Sequence, residues 1–457
     1  MIQQNRKLFD PAGAVVRAFG VFGTAVRKSG LIAWPARVLG PRPGLKEINL
    51  VCWGLFFGCV IIPVSFVFWL HLRAGQIGDF VYFYGIGRIA NEYPPAKLYD
   101  YAVQVRVFNA ISPLHTGDIW GPSPYPPLVA RFFSLFARIP FKLACIVWAG
   151  ISLAFYLTGI AVTVRKAFPE ERLKRSLIFC FALAFPPFLL DTLVNGQLST
   201  VAVCCIGLAI LEERHSKPFL SGLVLSILTY KPTLLLLLLP MLLLTRRFRT
   251  LFGFMTGAVA VFLASTALDG IGIWPAYLNF LRFFSGILEI KERGPFRHWQ
   301  FLDLRTLSLA IPGGRSTIAV AISICLMIAV LLWFSLLCIK STTSQEPAQS
   351  LIWAAVLTWT LLLNVYVPIY DAPLVVIAMI LTLGALRALG WTDATEWMIF
   401  FAILIFAVSW NTESVAQRYG VQPLTVLLLI LGLGQLLLLD QAVRREPSQT
   451  GTEILAD

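Results

Sequence analysis

The stretch 218–244, PFLSGLVLSILTYKPTLLLLLLPMLLL, decides how the rest of the chain is read. Two apolar runs, about 218–230 and 233–245, flank Tyr230-Lys231-Pro232. Each run is much shorter than the roughly 20 residues a helix needs to cross a bilayer. A pair of short helices joined at such a break stops inside the membrane. Irregular backbone at that depth is tolerated only against protein or water. The stretch therefore predicts a polytopic membrane protein with a recess, and it places Lys231 at the bottom. An ammonium among leucines is costly and marks a functional site by default. Snorkelling to the interface is the competing explanation. The short flanking helices favour a lysine facing the cavity, where a phosphate is its natural partner.

The composition agrees. Of 457 residues, 58% are hydrophobic and 13% charged, against roughly 45–50% and about 25% in ordinary globular domains. Mean hydropathy is +0.77. A soluble enzyme, a nucleic-acid factor and a disordered tail are excluded. The net charge of +13 is accordingly read through the positive-inside rule rather than as nucleic-acid binding. Cysteines 52, 59, 145, 180, 204, 205, 325 and 338 all fall in apolar segments without a CxxC pair. They read as small buried hydrophobes.

Residues 1–47 carry eight basic residues and an amphipathic pattern expected to lie on the inner leaflet. A membrane domain is expected over 48–440, followed by a cytoplasmic tail, 441–457. Hydropathy gives twelve spans: 48–72, 140–164, 175–191, 197–211, 218–230, 233–245, 250–268, 316–339, 350–367, 370–388, 397–410 and 421–440. The short loops set the orientation, since 165–175 holds five Lys or Arg and 246–249 three, whereas 191–197 and 368–371 hold none. Both termini are then cytoplasmic, and the longest loops lie on the external side. Two external regions, about 73–139 and 270–315, exceed the length of plain connectors and contain helix-like stretches at Phe80–Asn91 and Trp274–Leu288.

Polar residues gather on the external side. Asp79 follows the first span by seven residues. A carboxylate beside aromatic neighbours suits general-base work, although Asp before an apolar-periodic run is also a standard helix cap. Tyr82, Tyr84 and Tyr125 accompany it. Asn195-Gly196-Gln197 forms a turn signal whose amides can bind sugar hydroxyls or phosphate oxygens. Arg297 and His298 lie in a basic, aromatic second loop, and Tyr370-Asp371 interrupts two spans. Gly85-Ile-Gly87-Arg-Ile-Ala90 matches GxGxxA, but no βαβ unit surrounds it, so it reads as a packed helix face. There is no P-loop, DxD, GxSxG or HExxH, and no metal or cofactor is expected.

Together these motifs resemble glycosyltransferase family 87, multi-span enzymes of the GT-C type. The resemblance rests on Asp79-Phe80 with Tyr82 and Tyr84, Pro95-Ala96-Lys97-Leu98-Tyr99-Asp100, Tyr125-Pro126-Pro127-Leu128, Asn195-Gly196-Gln197, Tyr230-Lys231-Pro232 and Tyr370-Asp371. It implies an all-α GT-C fold and a polyprenyl-phosphate sugar donor, mannose being the best single guess. It further implies a lipid or glycan acceptor reached from the periplasmic side of a bacterial inner membrane, and Asp79 as catalytic base. A lipid-linked glycan flippase is the alternative. That class is expected to show internal repeats, and none is found between 48–245 and 250–440.

Overall fold

The computed structural model describes residues 44–74, 78–112, 121–293, 298–310, 317–342, 344, 346–364 and 367–445. Most of the basic N-terminal segment and of the C-terminal tail lies outside them.

The described chain is helical, and no β-strand longer than a single bridge occurs in it. The first span, α1, runs Leu45–Arg73. The first external region follows as α2 (Phe80–Glu92), α3 (Tyr101–Ile111) and α4 (Pro127–Ser134), and then come α5 (Phe141–Ala167), α6 (Arg172–Leu183), a π-helical segment Pro187–Val194 and α7 (Ser199–Arg214). The decisive stretch forms α8 (Pro218–Ser226) and α9 (Leu238–Leu244), and the second external region holds α11 (Ile273–Arg293) and α12 (Leu304–Ala310) after α10 (Phe248–Asp269). The chain ends with α13 (Thr317–Lys340), α14 (Glu346–Leu362), α15 (Pro373–Ala388), α16 (Thr392–Ser409), α17 (Thr412–Tyr419) and α18 (Pro423–Arg445).

Among the described residues seven helices are long and apolar enough to cross a membrane, and an eighth span results if α6 and Pro187–Val194, bent by 54°, count as one. Twelve spans are therefore not established, although every expected window is helical. The remaining four windows are shorter helices: α7 with 16 residues, α14 with 17, and the pair Pro218–Tyr230 and Pro232–Leu244. The pair breaks where Lys231 and Pro232 predict. One 3-10 turn ends at Tyr230 and another starts at Pro232, because proline has no N–H for the helical ladder.

Burial sorts the helices. Nearly every residue of α14 and most of α15 are buried, as expected of helices apolar on all sides. By contrast α1 exposes Leu50, Ile62 and Phe66, a lipid-facing surface. It is tied to α6 by Asn49 donating to the Leu173 carbonyl at 3.0 Å and by Trp53 Nε1 donating to Ser176 Oγ at 2.9 Å. Lipid removes the hydrophobic drive for helix association, so small residues and close packing take over. At the α8–α10 crossing a Cβ on Gly222 would strike the Thr250 carbonyl, and one on Gly253 the Phe219 carbonyl.

The first external region packs as an aromatic cap. Phe80, Phe83, Phe133, Phe136 and Trp148 interleave, with Phe133–Trp148 centroids 5.0 Å apart and Phe80–Phe133 6.0 Å apart. Such pairs add about 0.5–1.5 kcal/mol each beyond area burial. The glycines of the GxGxxA match belong to this packing, since a Cβ on Gly87 would hit the Phe133 backbone. The cap fixes the start of α2, and with it Asp79.

Candidate functional site

The site is built around the N-terminal turn of α7. Phe80 N donates to the Asn195 carbonyl at 2.9 Å, and Gln197 N donates to the Thr192 carbonyl at 2.8 Å. Gly196 makes the turn possible with φ +74°, where any Cβ would lie 2.7 Å from that of Phe80. Its carbonyl accepts from Trp148 Nε1 at 2.9 Å. The turn thus presses against the start of α2 and presents Gln197 to Asp79. Gln197 Nε2 donates to Asp79 Oδ2, while Gln197 Oε1 is buried with no hydrogen-bond partner among the described residues.

Asp79 occupies the N-cap position of α2, yet its side chain makes no capping bond. Its carboxylate faces the Gln197 amide instead, and it is half-buried. Asp191, on the π-helical segment, interacts electrostatically with Asp79 and with Glu413. Asp100 behaves differently. It caps α3 by accepting from Ala102 N at 3.1 Å and Val103 N at 3.3 Å. The Lys97 ammonium, 2.9 Å away, pulls its carboxyl below the usual range. A carboxylate held that way is a poor proton acceptor.

Two residues after Gln197, Ser199 Oγ donates to Asp371 Oδ1 at 2.7 Å. The other oxygen of this fully buried carboxylate receives the Lys231 ammonium. Lys231 Nζ lies 4.6 Å from the centroid of the Tyr370 ring. The side chain of Lys231 is 11% exposed, so it is not snorkelling freely into water. The break that carries it is anchored on both sides. Tyr230 OH donates to the Leu198 carbonyl at 3.0 Å, and Asn364 Nδ2 donates to the Thr233 carbonyl at 2.8 Å. Thr192 Oγ1, 2.9 Å from the Tyr370 carbonyl, ties the π-helical segment to the same place. Asp79, Asn195, Gln197, Lys231, Tyr370 and Asp371 therefore meet across one helical turn, though they span almost 300 positions of sequence.

The other candidates lie around this centre rather than in it. Tyr84 is buried in the aromatic cap, its hydroxyl spent on the Ile139 carbonyl at 2.9 Å. The Tyr125 ring packs 4.8 Å from that of Phe83, and its carbonyl accepts from Tyr99 OH at 2.9 Å. Tyr82 OH accepts from Gly121 N at 3.3 Å. His298 begins a short 3-10 turn, and Arg297 lies outside the described residues. The segment after His298 does approach the centre, since Leu302 N donates to the Val367 carbonyl at 2.9 Å and Phe301 bridges Pro368. Among the described residues no group of three or more His, Cys, Asp or Glu side chains is placed to hold a metal.

Sequence reasoning passed over Ser199 and Asn364. Ser199 lies two positions beyond a motif that was singled out. Asn364 lies two positions past the end of α14, where its amide holds the break beside Lys231.

The arrangement offers a half-buried carboxylate able to accept a proton, amides beside it, and a cation on a buried carboxylate one turn away. These are the parts of a group transfer from an anionic leaving group. Comparison with curated proteins and with solved structures finds no match. The model of glycosyltransferase family 87 matches residues 124–365, which takes in Tyr125, Asn195, Gln197 and Lys231 and leaves Asp79, Tyr370 and Asp371 outside. The match covers more than half of the chain, which therefore belongs to glycosyltransferase family 87 and is a membrane glycosyltransferase.

Proposed function

We propose that the enzyme moves a hexose, mannose first among the candidates, from a polyprenyl-phosphate donor to a lipid or glycan acceptor at the periplasmic face of the bacterial inner membrane. The observation that carries this is the meeting of Asp79 and the Lys231–Asp371 pair on the first turn of α7. Asp79 accepts the acceptor hydroxyl's proton as that oxygen attacks the anomeric carbon, and the phosphate leaves with the bonding pair. One displacement inverts the anomeric centre and needs no carboxylate nucleophile.

Lys231 suits the leaving side. An ammonium has three donors, and Asp371 takes one of them. The other two have no hydrogen-bond partner among the described residues, leaving them for phosphate oxygens. Asp371, oriented by Ser199, and the Tyr370 ring fix the ammonium before the donor arrives, so charge developing on the phosphate meets a preorganised cation. No nucleotide-binding motif is present, which supports a lipid-borne donor.

Incubating the purified full chain with an acceptor lipid extract tests this. Radiolabelled polyprenyl-phosphate mannose should be consumed and its label found in a new glycolipid, whereas GDP-mannose should be inert. Transfer from GDP-mannose alone would refute the donor assignment.

A further inference from the structure

A cleft lies at the end of α7 opposite the transfer site. That helix has 16 residues and rises 1.5 Å per residue, so the cleft is about 24 Å from the glycosyl-transfer site, close to the thickness of a bilayer core. Its volume is about 750 Å³. Arg214, Arg246, Arg247 and Arg249 line it, against Glu213 and Glu346, a net charge of two positive. Three helix N-termini, those of α8, α10 and α14, also open onto it through Pro218, Phe248 and Glu346, adding positive dipole ends.

Two of the four arginines are committed to the protein. Arg247 pairs with Glu213 and lies 5.5 Å from the Trp353 ring centroid, and Arg214 pairs with Glu346. Arg246 and Arg249 are exposed and have no ion pair among the described residues.

The backbone at Arg246 carries the argument further. Among the described residues, Ser216 (φ 60°) and Arg246 (φ 56°) are the non-glycine residues with positive φ, and both line this cleft. Each ends a helix in a Schellman motif: Lys217 N bonds the Glu212 carbonyl at 2.8 Å, and Arg247 N bonds the Leu242 carbonyl at 2.8 Å. Glycine is the usual residue at that position, because a Cβ is strained there. Here an arginine occupies that position, which puts a guanidinium at the mouth.

The surface beside the mouth indicates where the anion comes from. Phe248, at the mouth, begins an exposed apolar stripe on α10 that continues through Phe252, Met255 and Val259, residues that share one helical face. A phosphate seated on Arg246 and Arg249 would have its acyl chains along this stripe. We propose that the cleft binds the headgroup of an anionic phospholipid from the leaflet opposite the transfer site.

The test is native mass spectrometry of the detergent-purified full chain titrated with phosphatidylglycerol, with phosphatidylcholine, and with ATP or inorganic phosphate. Phosphatidylglycerol should bind preferentially, and Arg246→Gly/Arg249→Gln should weaken it roughly 10- to 30-fold. Glycine relieves the strained position, so this variant should be at least as thermally stable as the parent, separating lost binding from misfolding. The control Arg172→Gln/Lys174→Gln removes two charges near the same face outside the cleft and should bind normally. Undiminished binding in the cleft variant would overturn the proposal, as would an equal loss in the control. ATP or phosphate displacing the lipid at equal concentration would overturn the assignment to a lipid.

Discussion

Lys231→Met tests whether the lysine serves the fold or the donor. The substitution leaves Asp371, fully buried and already accepting from Ser199, as a carboxylate without its cation. Breaking a buried pair from one side costs about 3–5 kcal/mol. Replacing both members with apolar residues removes that penalty, because no uncompensated charge remains. In Lys231→Met/Asp371→Leu the Ser199 hydroxyl still loses its acceptor, a loss of about 1 kcal/mol. The double variant should therefore lie within about 1–2 kcal/mol of wild type, while the single variant falls well below both. Activity should not follow stability. A charge-assisted contact to phosphate is worth about 1.5–3 kcal/mol, so both variants should need about 10- to 150-fold more donor. Thermal unfolding followed by tryptophan fluorescence gives the first quantity, and initial rates against donor concentration give the second. A double variant as unstable as Lys231→Met would refute the buried-charge reasoning. A double variant with wild-type donor dependence would make Lys231 purely structural.

Gly196→Ala places a Cβ 2.7 Å from that of Phe80 at φ +74°, so it should lose about 1–3 kcal/mol, measured as a lower thermal midpoint; an unchanged midpoint would mean the turn can move. Burial raises the Asp303 carboxyl, so the folded protein holds that proton to higher pH than the unfolded chain does. Its contribution is present below the ordinary aspartate value and is lost as pH rises through the raised one. Asp303→Asn should accordingly flatten the fall in thermal midpoint above about pH 4, and a slope equal to that of the wild type would contradict the assignment. In right-side-out vesicles a cysteine at Arg88 should react with an impermeant maleimide and one at Glu170 should not; the reverse pattern would invert the orientation.

Much of this was legible in the sequence because membrane helices announce themselves by length and apolarity, and breaks announce themselves by Pro and Lys. Tyr230-Lys231-Pro232 marked a real interruption, and the helix-like stretch Phe80–Asn91 is a helix that starts at the same residue and ends one residue later, at Glu92. Span number was not legible. A hydropathy window does not fix helix length, and α7 and α14, apolar along most of their course, have only 16 and 17 residues, fewer than any of the seven long apolar helices. Residue type alone favoured a helix cap over a base at Asp79, yet the side chain makes no capping bond. That question turns on where its carboxylate points, which depends on Gly196 bringing Gln197 against α2. Likewise the pairing of Lys231 with Asp371, 140 residues away, is a tertiary fact. A lysine among leucines implies an anion nearby without saying whether the protein or the substrate provides it.

The most direct test of the account is the turnover of Asp79→Asn. Asparagine keeps an oxygen for the Gln197 amide and a similar shape, but it cannot take up the acceptor's proton. With saturating donor and acceptor, the purified variant should fold normally, bind donor as tightly as wild type, and lose about 10²–10⁴-fold in kcat. Turnover within a few-fold of wild type would show that Asp79 is not the base and would contradict the mechanism.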